Sequence, residues 1–391
     1  MQKTKIAHVI TRMIIGGAQE NTLYTVCGLM ADPRYDVTLV TGPAVGPEGS
    51  LMDAVRRNNV PTISIPYLRR NLHLVYDVLA FMHLVSVLWR GKYTVVHTHS
   101  SKAGILGRLA AWIARVPYIV HTIHGLPFHA HEHPVRNACY RSLECLVAPM
   151  TDRIITVCDE MAVQARAAGI VPRGGYTTIY SGLDLDLFTR TYPEEAAAIR
   201  QKFALPPDAC VIGKIARLFH LKGHTYVLDA ARRIIDRMPN VYFLFVGDGI
   251  LEKPLKEKVR RLGIEEHVRF AGLVPPETIP QYMQAMDIVV HASLREGLPR
   301  VVPQAFLSHR CVVAFDIDGA HDIIDEGVSG CLIPPKDSEK LAAALCLLAG
   351  DPVRRAAWAE AGYQKTVKLF SKEKMVDAIS TVYQEFLSKK Q

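Results

Sequence analysis

Across the chain's 391 residues, short β-branched runs alternate with longer stretches of helical composition, and few architectures tolerate that rhythm. A strand, a helix and a second strand in series place the two strands parallel, so the rhythm predicts α/β sheets wound with crossover helices. The first half offers KIAHVI, DVTLVTG, PTISIPY, TVVHTHS, YIVHTIHG, RIITVCD and YTTIYSG as strands; the second offers CVIGKIARL, VYFLFVGDG, VRFAGLV, DIVVHAS and CVVAFDIDG. Between the sets, TRTYPEEAAAIRQKFALPPDA carries Pro193, Pro206 and Pro207 and no strand signal. A single core rarely grows to this length. The division expected is therefore a domain at 1–190, a linker at 191–207, a second domain at 208–370 and a terminal segment at 371–391. No longer repeat recurs, which sets aside solenoids and propellers.

Composition narrows the functional classes. With 49% hydrophobic and 21% charged residues, the whole chain is expected to fold. Two lysines precede the first strand, with no apolar core of signal-peptide length behind them, so a cytoplasmic protein is expected. The most apolar run, Val78 to Trp89, is shorter than the roughly 20 residues of a bilayer-spanning helix. Eight scattered cysteines form no C-x-x-C pair and read as reduced packing residues. The net charge of +8 is concentrated early, where residues 1–190 hold 19 Lys and Arg against 13 Asp and Glu. Such a face can attract nucleic acid, an anionic membrane surface or a phosphorylated substrate. No aromatic-rich nucleic-acid module is visible, so nucleic acid is not an expected partner.

In wound parallel sheets ligands bind beyond the carboxyl ends of the strands, which directs attention to strand-end residues. Gly16 and Gly17 follow the first strand and precede a helix, either as a tight turn or as a loop that approaches a phosphate. Histidines close two later strands: His97 and His99, then His121 and His124. The first three read as sheet-facing hydrogen-bonding residues, whereas His124 sits beside Gly125 at a strand terminus, open to a ligand. His129, His131 and His133 alternate in a loop without a carboxylate or cysteine frame, so no metal is expected there. In the second half Arg217 and Lys222 lie between a strand and a helix, placed to clamp a diphosphate without a metal ion, or else as solvated loop charges. Glu296 and Gly297 end another strand. A helix is expected from Leu298 to Phe306, bringing Leu298, Arg300 and Gln304 to the same ligand: a carboxylate for a sugar, amides for phosphate and an amide side chain for hydroxyls.

Together these motifs resemble the family-4 retaining glycosyltransferases of the GT-B fold, over nearly the whole chain. The resemblance rests on GGA, HTHSSKAGILGR, HTIHG, SGLDLDLF, Arg217 with Lys222-Gly223, FVGDG, VRFAGLV, SLREGLP and FDIDGAHDIIDEG, in that order. It implies two Rossmann-like domains facing each other across a cleft, with the terminal helix crossing back to the first. It also implies that Glu296 and His124 are catalytic and that Gly16, Gly17, Arg217, Lys222, Gly297, Leu298, Arg300 and Gln304 bind a nucleotide-sugar donor, UDP-linked, without a divalent metal or other cofactor. The acceptor implied is a glycan or a lipid-linked sugar, with surface polysaccharide assembly as the setting. One departure from the family is Gln304, where a second glutamate is usual. A nucleotide-sugar epimerase of the same build, or a non-catalytic sugar-nucleotide sensor, are the alternatives. The complete glycine fingerprint of a nicotinamide-dependent dehydrogenase is absent.

Overall fold

The computed structural model describes residues 3–46, 49–130 and 132–388. They form two compact units, one running to Gly182 and resuming at Lys372, the other Leu183–Ser371. In the first unit, β1 (Thr4–Arg12), β2 (Tyr35–Gly42), β3 (Thr62–Ser64), β4 (Val95–His99), β5 (Tyr118–Ile123), β6 (Arg153–Thr156) and β7 (Tyr176–Thr178) make one sheet. Its order is β3-β2-β1-β4-β5-β6-β7, and every pair is parallel. Helices cover both faces, which is why β4 and β5 are buried at every residue.

On one face, Leu23, Val26 and Leu29 of the helix Gly17–Ala31 share a core with Met375, Ile379, Val382 and Tyr383 of the helix Lys372–Ser388. Gly28 permits that approach, since a Cβ there would lie 2.6 Å from Val376 Cγ2. On the other face, the helix Leu74–Gly91 packs Ala80, Leu84 and Leu88 with Ala103, Ala110 and Ala111 of the helix Ser101–Ile113. This crossover helix is longer than its uncharged run suggests. At 18 residues and mean hydropathy 1.3 it is long and apolar enough to cross a membrane, yet its packed edge ties it to the unit.

In the second unit, β8 (Cys210–Ile215), β9 (Val241–Val246), β10 (Val268–Gly272), β11 (Ile288–His291), β12 (Cys311–Phe315) and β13 (Gly330–Ile333) follow the order β10-β9-β8-β11-β12-β13. All are parallel. The strand β13 is absent from the sequence reading because GCLI is too short to show a period; pairing with β12 and a bond from Leu332 N to the Glu326 carboxylate hold it.

The expected linker is also corrected. Residues 191–207 are no tether, since Pro193–Lys202 is a helix that proline opens at its first turn, where no amide bond is lost. Tyr192 N donates to Gln284 Oε1 at 2.7 Å and Arg200 pairs with Asp287 at 2.8 Å, which fastens the segment to the second unit. The chain changes unit earlier, at Gly182.

Candidate active site

In the second unit the strand order reverses between β8 and β11. A wound sheet opens there, and the loops after those two strands carry the site. Arg217 lies two residues beyond β8 and Lys222 ends the short 3₁₀ turn His220–Lys222. Gly223 then takes φ +66°, and a Cβ there would stand 1.8 Å from the Ala292 carbonyl oxygen. Only glycine lets the β8 loop lie this close to the extension of β11. Leu294 N donates to Leu221 O at 2.8 Å across the same contact. Lys222 Nζ is thereby brought to Glu296 Oε1 at 2.6 Å. The Glu296 amide donates to Asp318 Oδ2 at 2.7 Å, so a loop beyond β12 fixes its backbone.

The Glu296 side chain is 17% exposed. Burial by itself would raise its pKa, but the Lys222 ammonium more than offsets this and holds the carboxyl below its ordinary range; His291 Nε2 lies 3.5 Å away. Burial pushes His224 and His291 down to about 3, so both rings are neutral at physiological pH. His224 Nε2 lies 2.9 Å from Arg217 O and steadies that turn. The exposed Arg217 guanidinium lies over the Phe219 ring, 4.2 Å from its centroid.

Beneath them, Lys214 on β8 is 1% exposed and its Nζ has no hydrogen-bond partner among the described residues. Burial first, then Lys222, pushes it down to about 7, against a smaller upward pull from Glu296. Neither Lys214 nor Asp318 is legible as a site residue in the sequence, since a lysine inside a strand run carries no motif and the role of Asp318 is a contact between loops. A buried ammonium in a strand that is otherwise apolar was the available signal for the first.

Gly297, Leu298 and Arg300 form the bend after Glu296, and the helix begins at Val301, not at Leu298. Pro299 explains the delay, because its ring disfavours helical geometry at the residue before it. Gln304 lies within Val301–Leu307, partly exposed, and its side-chain amide bonds to no other described group. It makes no contact with the Lys222–Glu296 pair through hydrogen bonds.

In the first unit the order reverses between β1 and β4. Gly16 and Gly17 start the helix Gly17–Ala31, and the next residue, Ala18, lines a cavity of about 230 Å³ with Ser100 and His124. His124 follows β5 directly and is half-buried. Ser100 holds φ +62° with an extended ψ, a backbone that strains any residue with a Cβ, and its hydroxyl meets Thr11 Oγ1 at 2.8 Å. The motif around Ser100 also supplies Arg108, which is fully buried and paired with Glu144, another cavity residue, at 2.6 Å.

Behind His124 the strand histidines form a bonded chain. His124 Nε2 lies 3.1 Å from His99 Nδ1, and His99 Nε2 lies 3.0 Å from His8 Nδ1. Tyr383 OH stands 3.5 Å from His8 Nε2 and 2.6 Å from His97 Nδ1, and His97 Nε2 meets Thr122 Oγ1 at 2.7 Å. Burial lowers the pKa of His8 to about 3 and that of His97, His99 and His121 far below the usual value. His8, His97 and His99 could converge on a metal ion, yet each of their ring nitrogens already has a protein partner. Of the loop histidines, His131 lies outside the described residues, and His133 Nδ1 accepts from Val135 N at 3.3 Å as a helix cap. All eight cysteines are free.

A model of the family described as glycosyl transferases group 1 matches residues 195–365, and one described as a glycosyl transferase 4-like domain matches 16–182. The chain is 30% identical, over 97% of each chain, to an Escherichia coli UDP-Gal:alpha-D-GlcNAc-diphosphoundecaprenol alpha-1,3-galactosyltransferase. It is 29% identical to a D-inositol 3-phosphate glycosyltransferase of Corynebacterium urealyticum, covering 68% of this chain and 66% of that one. In fold it is similar to Anabaena Alr3699/HepE, solved in complex with UDP-glucose, with TM-score 0.82 at 24% identity over 97% of this chain and 99% of that chain.

Proposed function

Because the chain belongs to the group 1 glycosyltransferases, we propose that it moves a sugar from a UDP-linked donor to a lipid-linked acceptor with retention at the anomeric carbon. The proposed setting is the cytoplasmic face of a membrane, in surface polysaccharide assembly. The observation that carries the reading is the Lys222–Glu296 pair, set where the wound sheet of the second unit opens. A donor supplies a partner for each half: its diphosphate for Lys222 and Arg217, its sugar hydroxyls for Glu296. Donor binding is thus an exchange in which the lysine leaves the carboxylate for phosphate and the carboxylate turns to the sugar.

As the bond from the anomeric carbon to the phosphate oxygen breaks, the diphosphate departs with the electron pair and positive charge grows on the sugar. The acceptor hydroxyl attacks from the same face and its proton passes to the departing phosphate. Lys222 and Arg217 meet the charge on the leaving group, and Glu296 faces the charge on the sugar. Support for a UDP donor and a lipid diphosphate acceptor comes from the Escherichia coli relative's name, and for the donor from the UDP-glucose in the Anabaena structure.

The reading is tested by incubating the protein with UDP-sugars and a lipid diphosphate-linked sugar and following the anomeric configuration of the product. Epimerised donor without transfer, or an inverted linkage, refutes it. Two cations in place of a metal predict a transfer rate unchanged by EDTA; loss of activity restored by magnesium would assign the diphosphate to a metal instead. Gln304→Ala is expected to weaken UDP-sugar binding by about 0.5–1.5 kcal/mol, the worth of a typical hydrogen bond, with turnover nearly intact. Gln304→Glu is expected to keep or tighten binding, since a carboxylate accepts hydroxyl bonds more strongly than an amide. Titration calorimetry beside steady-state rates separates the two effects.

A further inference from the structure

We propose that an arginine-lined cavity in the first unit receives the diphosphate of a lipid carrier while the helix Leu74–Gly91, which begins at its rim, lies in the membrane surface. The acceptor role given to that lipid rests on the glycosyltransferase reading. The cavity, about 610 Å³, sits at the carboxyl ends of β1 and β2 and is lined by Arg12, Arg69, Arg70, His73 and Tyr76 among others, with no acidic residue among the described ones. Arg12 already gives Nη1 to Val45 O at 2.6 Å. Arg69 and Arg70 are exposed and form no salt bridge with any described residue. Tyr76 backs the Arg69 guanidinium at 5.0 Å from its ring centroid, with the His73 ring stacked 4.3 Å away on Tyr76. Two guanidinium groups lining one cavity, that of Arg69 backed by the Tyr76 ring, suit two linked phosphates.

The helix leaving this cavity presents an apolar stripe to solvent, broken only by the half-buried Ser86. At about 100° per residue, Leu74, Val75, Val78, Leu79, Met82 and Trp89 share a face opposite the buried Ala80, Leu84 and Leu88. All six are exposed, from 82% at Leu74 to 69% at Trp89 with Leu79 least at 41%. The helix has one acidic residue, Asp77, which is turned from the stripe and paired with Lys102. Arg69 and Arg70 precede the stripe, and Arg90 and Lys92 follow it, all exposed. Apolar surface framed by cations, with a tryptophan near one end, matches an anionic lipid surface and not an aqueous partner helix. The stripe runs from Leu74 to Trp89 of this helix, and at about 1.5 Å per residue it would lay roughly 23 Å of face along that surface, directly beside the phosphate-binding arginines.

The test is co-sedimentation with phosphatidylcholine vesicles that carry a polyprenyl diphosphate, against vesicles brought to the same charge with phosphatidylglycerol. The wild-type protein is expected to favour the diphosphate vesicles. Arg69→Ala/Arg70→Ala should lower affinity for them by about tenfold or more, through lost charge-assisted bonds, with UDP binding unchanged. Leu74→Ser/Val78→Ser/Met82→Ser, all at exposed positions, should reduce recovery with both vesicle types. Equal binding to the two vesicle types, or full retention of diphosphate preference by the arginine variant, overturns the proposal. Should the wild type fail to bind UDP yet still discriminate the vesicles, the donor reading falls and the lipid site stands.

Discussion

Replacing Glu296 by alanine is expected to slow transfer by about a hundred- to a thousandfold, the loss that follows removal of one aimed electrostatic group, while UDP affinity stays the same or rises. The sign of the second effect comes from the ion pair. In the unliganded site Lys222 is held by Glu296 at 2.6 Å, so the diphosphate has to compete with a carboxylate for it. Alanine releases Lys222 to the phosphate and at the same time removes the group that faces the charge on the sugar. Lys222→Ala should behave in the opposite manner, weakening UDP and leaving Glu296 without the neighbour that lowers its pKa. Calorimetric titration with UDP and steady-state rates with one confirmed donor read both variants. An alanine variant of Glu296 that turns over normally removes the carboxylate from the reaction, and one that loses UDP together with turnover makes it a structural residue.

Mild acid is expected to unfold the protein well before most carboxylates protonate. His8, His224 and His291 have folded pKa values near 3 against the ordinary 6.5, each driven down first by burial. The unfolded chain therefore binds more protons than the folded one between about pH 6.5 and 3, and stability falls as pH falls through that window. At pH 5 each such histidine costs about 2 kcal/mol, so His8 costs the first unit about 2 kcal/mol and His224 with His291 cost the second about 4 kcal/mol, a large share of the stability of a typical domain. His97, His99 and His121 act in the same direction. Four of the six lie in the first unit, which should unfold first. In a Trp358→Phe variant the remaining tryptophans, Trp89 and Trp112, report on that unit alone. Urea midpoints followed by fluorescence from pH 7.5 to 5 should drop steeply, and a flat profile would mean that the histidines are hydrated in solution. Lys214, with a folded pKa of about 7 against 10.5, adds a rise in stability between those two values, since there too the unfolded chain holds the extra proton.

The strands were legible as short runs rich in β-branched residues, which stand out between stretches of helical composition. All seven strands of the first unit and five in the second fall on such runs, whereas β13, four residues between loops, does not. Proline misled the reading at 191–207, where Pro193 opens a helix instead of interrupting one. It would have helped at Pro299, whose effect on Leu298 sets the start of the helix at Val301. Glu296, Arg217, Lys222 and His124 were reachable because each follows a strand run directly or within a short loop. Lys214, Asp318 and Ser100 were not, since what distinguishes them is an orphaned ammonium, a bond between loops and a strained φ.

The order of runs and breaks along this chain was enough to determine two wound parallel sheets, for hydrophobic periodicity and chain connectivity are local properties written residue by residue. Its motifs were enough to point to a glycosyltransferase. The sequence could not show that Lys222 spends its charge on Glu296, that buried histidines join hands from His124 to Thr122 through Tyr383, or that the stripe from Leu74 to Trp89 faces solvent. Those depend on which loops meet at the ends of neighbouring strands and on which side of a helix the core lies. Residues as far apart as His8 and Tyr383 become partners only when the sheet and the returning terminal helix put them within hydrogen-bond reach.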